Sequence, residues 1–361
     1  MVKKTLFGHF DFWLLASVLF LTIFGLLLIY NASVVIAERD FADKYRYIHD
    51  QAIWAGIGIC LMLLISCIEY HIWQRLALPL LVATVGLLVL VFVPGIGISA
   101  LGASRWINFG FFVLQPAELA KLSLIVYLAS WLSHKEKGRF LPFILLLAFF
   151  MGLVVLEPDM GTSIILGAGG VFLYFLSGAP LYHFFLLIPP AMLAIWLLIQ
   201  IAPYRLARLL TFLDADRDPL GSSYHIRQTL FALGNGGLTG VGFGKSFQKY
   251  AYLPESTTDS IFAILAEELG FIGSFFVILL LFFVIFRGFT IAKNAPDTFG
   301  KLLAGGIASL FGIQIAINLA AQVALLPFTG IPLPFLSYGG SSLVVTMILF
   351  GILLNISRTQ K

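Results

Sequence analysis

Apolar runs of about twenty residues recur from Phe12 to the C-terminus, and each is long enough to cross the hydrocarbon layer of a bilayer as one helix. Water cannot be the main solvent of such a chain. Of its 361 residues, 60% are hydrophobic and 11% charged, where an ordinary soluble domain carries about a quarter charged residues. Backbone N–H and C=O groups in hydrocarbon must be satisfied within the protein, which leaves helices or a closed barrel. The runs lack apolar–polar alternation, so helices are favoured and the fold class is all-α. The expected architecture is a single membrane domain, 1–361, with about ten transmembrane helices. Spans are expected near 12–33, 51–69, 75–93, 116–133, 140–156, 161–178, 183–203, 259–287, 301–325 and 337–356. The first is too long for a signal-peptide core and lacks a small-residue cleavage pattern, so it is expected to remain as an anchor.

An even number of spans puts both termini on one face. With the termini in the cytoplasm, that face carries eleven Lys and Arg residues in short segments, and the opposite short loops carry four, Arg39, Lys44, Arg46 and Arg105. The excess favours this orientation. The long segment from about 204 to 258 adds six more cations outside, but long loops are weak topology determinants. Within it, Leu206, Leu209, Leu210 and Leu213 follow helical spacing beside Arg205 and Arg208, as in a helix lying in the headgroup plane. A second short helix is expected at Ser222–Leu233, then a glycine-rich stretch, Gly234–Gly244, suited to a tight loop approaching a ligand or the bundle. It lacks the preceding strand and the lysine–serine pair of a phosphate loop. Cys60 and Cys67 both fall in the second apolar run and are expected to be packing residues. The six histidines show no metal-ligand spacing, and no inverted repeat of the transporter kind is visible.

Ionisable groups at bilayer depth are costly and mark functional candidates. Glu118 and Lys121 open the fourth span one turn apart, either as an internal ion pair or as part of an anion site. Glu157-Pro158-Asp159 ends the fifth, readable as a solvated helix end or as a pair of site carboxylates. Arg105-Trp106 combines an interfacial aromatic with a cation suited to phosphate. The richest cluster runs from Leu253 through Thr258-Asp259 to Glu267-Glu268. Asp259 could simply cap a helix, yet it stands where the long segment re-enters the membrane, and the two glutamates lie two turns deeper. Gln314, Asn318 and Gln322 form a stripe read as interhelical hydrogen bonding rather than chemistry. Pro332 through Ser337-Tyr338 to Ser342 offers hydroxyls and flexible backbone.

Several motifs in order make the chain resemble the SEDS family (FtsW, RodA, SpoVE) over nearly its whole length. They are Gly102–Trp106, Gln115–Glu118 with Lys121, Pro158–Thr162, Asp218–Gly221, Leu253–Asp259, Glu267–Gly270 and Pro332–Ser341. Gly242–Lys249 and Tyr252–Glu255 look more like the FtsW and SpoVE branch than RodA. The resemblance implies a ten-span peptidoglycan glycosyltransferase that polymerises lipid II on the outer face of the bacterial cytoplasmic membrane, in the division-type role. It also implies a class B penicillin-binding partner and other divisome or elongasome membrane proteins, with no nucleic acid. Asp259 carries over as the catalytic acid, and Arg105, Glu118, Lys121 and Asp159 as supporting positions. Two departures stand out: Ser260 where the family usually has phenylalanine, and Glu157 where it often has glutamine.

On this reading Asp259 is a general base, and cations stabilise the departing pyrophosphate. The candidates are Arg105, Lys121, Arg205, Arg208, Lys245 and Lys249, with Ser337 as a further substrate-binding candidate. No ligand set dictates a metal, although a divalent cation is compatible with the chemistry. The rivals are a flippase for a lipid-linked precursor, favoured by buried ions and proline-broken spans, and a non-catalytic scaffold.

Overall fold

A computed structural model describes residues 10–100, 103–110, 112–134, 138–201, 206, 210, 212, 223–250 and 253–359. The expected interfacial helix around Arg205, Arg208, Leu209 and Leu213 lies outside the described residues, as does the Asp218–Gly221 motif.

The helices follow the apolar runs closely: α1 (Phe12–Phe41), α2 (Arg46–Cys67), α3 (His71–Leu90), α4 (Pro116–Leu132), α5 (Phe140–Leu156), α6 (Met160–Leu176) and α7 (Leu181–Ile201), with α8 (Tyr224–Gly236), α9 (Ile261–Asn294), α10 (Thr298–Gln322) and α11 (Gly340–Arg358) after the long segment. Six of them, α1, α2, α3, α9, α10 and α11, are long and apolar enough to cross a membrane, and α5 and α6 are shorter apolar helices. Between α3 and α4 the chain forms a small antiparallel sheet, β1 (Gly97–Ala100), β2 (Ala103–Asn108) and β3 (Val113–Leu114), in the order β1-β2-β3. The expected interfacial stretch around Arg105 is therefore a strand in an otherwise all-α protein. Its residues alternate sides, as Ile107, almost fully buried beside half-buried Trp106, illustrates.

α4 is the hub. It buries residues on every side, from Pro116 and Ala117 through Leu124 and Val126 to Leu132, as a helix enclosed by others must. By contrast α9 exposes Phe271, Phe275, Phe282 and Phe286 along one side, the face expected toward lipid. Both cysteines are exposed, which corrects their reading as packing residues: Cys60 and Cys67 stand on the outward side of α2.

Polar groups gather at the two ends of the bundle. At the end holding the termini, Arg287 pairs with Asp11 at 2.6 Å, Asp11 N donates to Ser357 Oγ at 3.0 Å, and Tyr70 N donates to Asn355 Oδ1 at 2.8 Å. At the other end Asn31 donates to Glu268 and Gln51 Oε1 accepts from Gly339 N. Along α1, positions 11 and 31 are about 30 Å apart at about 1.5 Å rise per residue, which is the hydrocarbon thickness. α1 and α9 thus carry polar contacts at both ends of a stretch about one hydrocarbon thickness long.

Candidate functional site

Asp259 precedes α9 and is buried, at 8% exposure. It does not cap that helix. The N-cap is Ser260, which makes no side-chain capping bond, so the capping explanation of Asp259 fails. Its backbone carbonyl instead accepts from Asn318 Nδ2 at 3.0 Å and from Gln322 Nε2. A narrow crevice beside it is lined by Asp259, Asn318, Gln322, Phe328 and Thr329. Ser337 Oγ donates to Thr258 O at 2.5 Å and accepts from Leu333 N at 2.8 Å, so its hydroxyl fastens the chain next to Asp259.

Glu118 and Lys121 form the internal pair that their spacing allows, 2.7 Å apart and both 3% exposed at the side chain. Lys121 Nζ also donates to Gln314 Oε1 at 3.1 Å, and Gln314 Nε2 to Pro332 O at 2.9 Å. The relay ties α4 to α10 and to the Pro332–Ser337 segment.

Asp159 caps α6, its Oδ1 accepting from Thr162 N at 3.0 Å and its Oδ2 from Thr162 Oγ1 at 2.8 Å and Gln115 Nε2 at 3.2 Å. Arg105 reaches across from β2 and donates to the carbonyls of Glu157 (3.2 Å) and Pro158. It binds the carbonyls left open where α5 ends, a job suited to a guanidinium fork. Glu157, in the turn between α5 and α6, is fully buried, and neither carboxylate oxygen has a hydrogen-bond partner. This is no solvated helix end. Burial, then the negative charge of Asp159, push the Glu157 carboxyl up to about 8 against the pull of Arg105.

The glycine-rich loop meets the bundle. α9 breaks at Gly270 (φ 65°), and the loop repairs the break: Val241 N and Gly242 N donate to the carbonyls of Glu267 and Glu268, while Phe271 N and Ile272 N donate to those of Gly237 and Leu238. A Cβ on Gly240 or Gly270 would collide with the opposing backbone, and both hold positive φ, so glycine is required at each. Side chains reinforce the joint. Glu267 accepts from Ser246 Oγ, Glu268 accepts from Ser246 N at 3.2 Å, and Lys249 Nζ donates to Asn31 Oδ1 at 3.1 Å and to Gly244 O, 3.9 Å from Glu268. Lys249 is thus engaged internally, whereas Lys245 on the same loop is exposed.

The structure brings Asp259 and Ser337 together, and Glu118, Lys121 and Asp159 to the same end of the bundle. Sequence reasoning missed that Asn318 and Gln322 grip Asp259; their four-residue spacing on an apolar helix was the available signal. Asn31, a lone amide in an apolar run, gave no signal for its role as partner of Glu268 and Lys249.

Among the described residues nine charged side chains are buried, and eight of them, Glu118, Lys121, Glu157, Asp159, Lys249, Asp259, Glu267 and Glu268, lie at the end opposite the termini; Asp11 is the exception. The buried charge of the described residues is thus concentrated at one end of the helical bundle. The chain belongs to the FtsW/RodA/SpoVE family of cell cycle proteins, whose pattern matches residues 12–361. It is 41% identical over 357 residues to "Stage V sporulation protein E" of Bacillus subtilis, covering 97% of this chain and 98% of that protein. It is 42% identical over 360 residues to the "Probable peptidoglycan glycosyltransferase FtsW" of Trichlorobacter lovleyi, covering 98% and 94%. Among solved structures, it resembles a chain of a peptidoglycan synthase complex that coordinates polymerization and crosslinking, with TM-score 0.80, 28% identity and 97% and 98% coverage. The Thermus thermophilus rod shape determining protein RodA matches with TM-score 0.71, 28% identity and 97% coverage of both chains.

Proposed function

We propose that this chain is a division-type peptidoglycan glycosyltransferase that polymerises lipid II at the outer face of the cytoplasmic membrane, with ten spans and both termini inside. The gathering of buried charge around Asp259 at one end carries the reading, because a substrate anchored in one leaflet must be met at that leaflet's edge. Identities of 41% and 42% to the SpoVE and FtsW relatives, against 28% to RodA, support the division branch.

Asp259 acts as general base. Its carboxylate takes the proton from the 4-hydroxyl of the acceptor's N-acetylglucosamine, whose oxygen attacks the anomeric carbon of the donor's N-acetylmuramic acid. The bond from that carbon to undecaprenyl pyrophosphate breaks, and the leaving group takes the bonding pair. A single displacement inverts the α-linked donor to a β-1,4 product. Of the candidate cations among the described residues, exposed Lys245 is best placed to receive the pyrophosphate, since Lys121, Lys249 and Arg105 are engaged within the protein. A class B penicillin-binding protein is the expected partner for crosslinking, within a larger set of cell-wall membrane proteins.

The flippase reading calls for ionised groups near the midplane and draws on Glu118, Lys121, Glu267 and Glu268; the first two pair with each other, and the last two are bonded to Asn31 and to Ser246 of the loop. The deciding test is polymerisation of lipid II by purified protein, with and without the partner, beside a liposome flipping assay. Asp259→Ala should remain folded and make no glycan. Glycan synthesis by that variant sinks the assignment, flipping without polymerisation favours the transporter, and neither activity favours the scaffold.

A further inference from the structure

The amides of α10 do more than join helices. Gln314, Asn318 and Gln322 donate to backbone carbonyls in irregular segments, and the last two converge on one atom, the carbonyl oxygen of Asp259. Asn318 Nδ2 is also 2.7 Å from Ile331 O. With acceptors on both sides, the NH2 group must face them, which fixes the orientation of the Asn318 amide. The two preceding carbonyls are held from the same quarter, Thr258 O by Ser337 Oγ at 2.5 Å and Thr257 O by Tyr338 N at 2.8 Å. Three consecutive carbonyls ending at Asp259 are therefore gripped by donors from α10 and the segment that follows it.

We infer that Asn318 and Gln322 are positioning residues for Asp259, aiming its carboxylate by holding its backbone. The inference rests on the reading of Asp259 as the base. Ser260, not Asp259, is the N-cap of α9, and Thr258 Oγ1 lies 3.4 Å from Asp259 Oδ1. Asn318 is 2% exposed and Gln322 1%, against 8% for Asp259, so the amides are less accessible than the residue they hold. Their amide oxygens, Oδ1 and Oε1, are buried without a hydrogen-bond partner. Leaving buried acceptors unpaired is costly, and these amides leave their own oxygens unpaired while their NH2 groups satisfy the carbonyls of Asp259 and Ile331. The cost is understandable if the donors are needed for aim, since small misplacement of a catalytic group costs orders of magnitude in rate.

The test uses Asn318→Leu and Gln322→Met, which keep volume and remove the donors, in the purified full-length protein. Asn355→Leu is the control: at the opposite end its Nδ2 donates to Ser66 O at 2.9 Å and its Oδ1 accepts from Tyr70 N, so it loses a comparable buried amide far from Asp259. Each α10 variant is expected to lower kcat for lipid II polymerisation by about 10- to 100-fold, with KM within about twofold and the acid limb of the pH–rate profile displaced. Asn355→Leu is expected to lose thermal stability and keep its kcat. An unchanged kcat in both α10 variants overturns the inference. So does an equal kcat loss in Asn355→Leu, which would make the effect one of general stability. Should the α10 variants not fold, Ser337→Ala removes one donor from the adjacent carbonyl and is expected to lower kcat several-fold at constant KM; an unchanged kcat there also overturns it. Wild-type protein that makes no glycan, or an active Asp259→Ala, overturns the reading of the site itself and this inference with it.

Discussion

The two polar ends of the bundle are built from similar residues and, among the described residues, differ in how completely their carboxylate and amide oxygens are paired. At the terminal end, one carboxylate oxygen of Asp11 accepts from Leu14 N and the other from Arg287. Asp297 there accepts from Gly300 N, Tyr70 OH and His71 Nε2. Burial pushes the Asp297 carboxyl up, but those three donors outweigh it and hold it below the usual range. Among the described residues, Glu157 at the loop end has no hydrogen-bond partner for either oxygen, and Glu267 Oε1, Asn318 Oδ1 and Gln322 Oε1 go without one, whereas the unpaired buried atoms at the terminal end include the donors Trp73 Nε1 and Arg358 Nε. Buried polar groups that merely hold a fold together are normally paired. The contrast fits the terminal end as a clamp and the loop end as the proposed site, where paired oxygens are given up.

Four substitutions can break or sharpen this contrast. The largest effect is expected at Asp259→Asn, which keeps shape and removes the base: glycan synthesis should fall by at least about 100-fold with the melting temperature unchanged, as measured on one purified sample. Next is Gly240→Ala at the loop–helix joint, where the new Cβ meets the Glu268 carbonyl at a positive φ. A loss of about 2–4 kcal/mol in detergent unfolding is expected from the combined clash and backbone strain. Wild-type stability there would mean that the joint is loose.

Arg287→Met at the terminal clamp leaves Asp11 buried without its ion, and about 1–3 kcal/mol of stability should go, discounted because the arginine is partly exposed. Activity per folded molecule should not change; a selective loss of activity would abolish the distinction between the ends. Near pH 4.5 the smallest effect of the four is expected at Glu157→Gln. Because the folded-state pKa of Glu157 is raised, to about 8, the folded protein holds this proton more tightly than the unfolded chain does. Wild-type stability should therefore decline as pH rises from about 4.5 through 8 and level off above. Glutamine resembles the protonated acid and lacks that decline, so the two melting curves should agree near pH 4.5 and separate in favour of the variant by pH 8.5. Parallel curves across that range would remove Glu157 from the account.

Legibility from sequence followed the range of the interaction. The expected span 140–156 coincides with α5, and the short helix expected at Ser222–Leu233 appears as Tyr224–Gly236. The Glu118–Lys121 pair was readable because both members belong to one turn. Lys249 and Arg105 looked like ligands for phosphate, yet their partners are Asn31, Glu268 and the carbonyls of Glu157 and Pro158, far away in sequence. The strands around Arg105 were missed, since six residues of mixed character beside a tryptophan also describe a membrane-interface loop.

Sequence alone determined that this chain is a helical membrane bundle, because burying a peptide bond in hydrocarbon is decided within one turn of helix and needs only a run of apolar side chains. It also determined which acids and amides exist to do work. Tertiary structure decided what each of them holds. The grip of Asn318 and Gln322 on Asp259, the repair of the α9 break by the glycine loop and the isolation of Glu157 all join segments that only packing brings together. A hydrogen bond needs its partner within about 3 Å, and no pattern along one strand of sequence states which distant segment will arrive there.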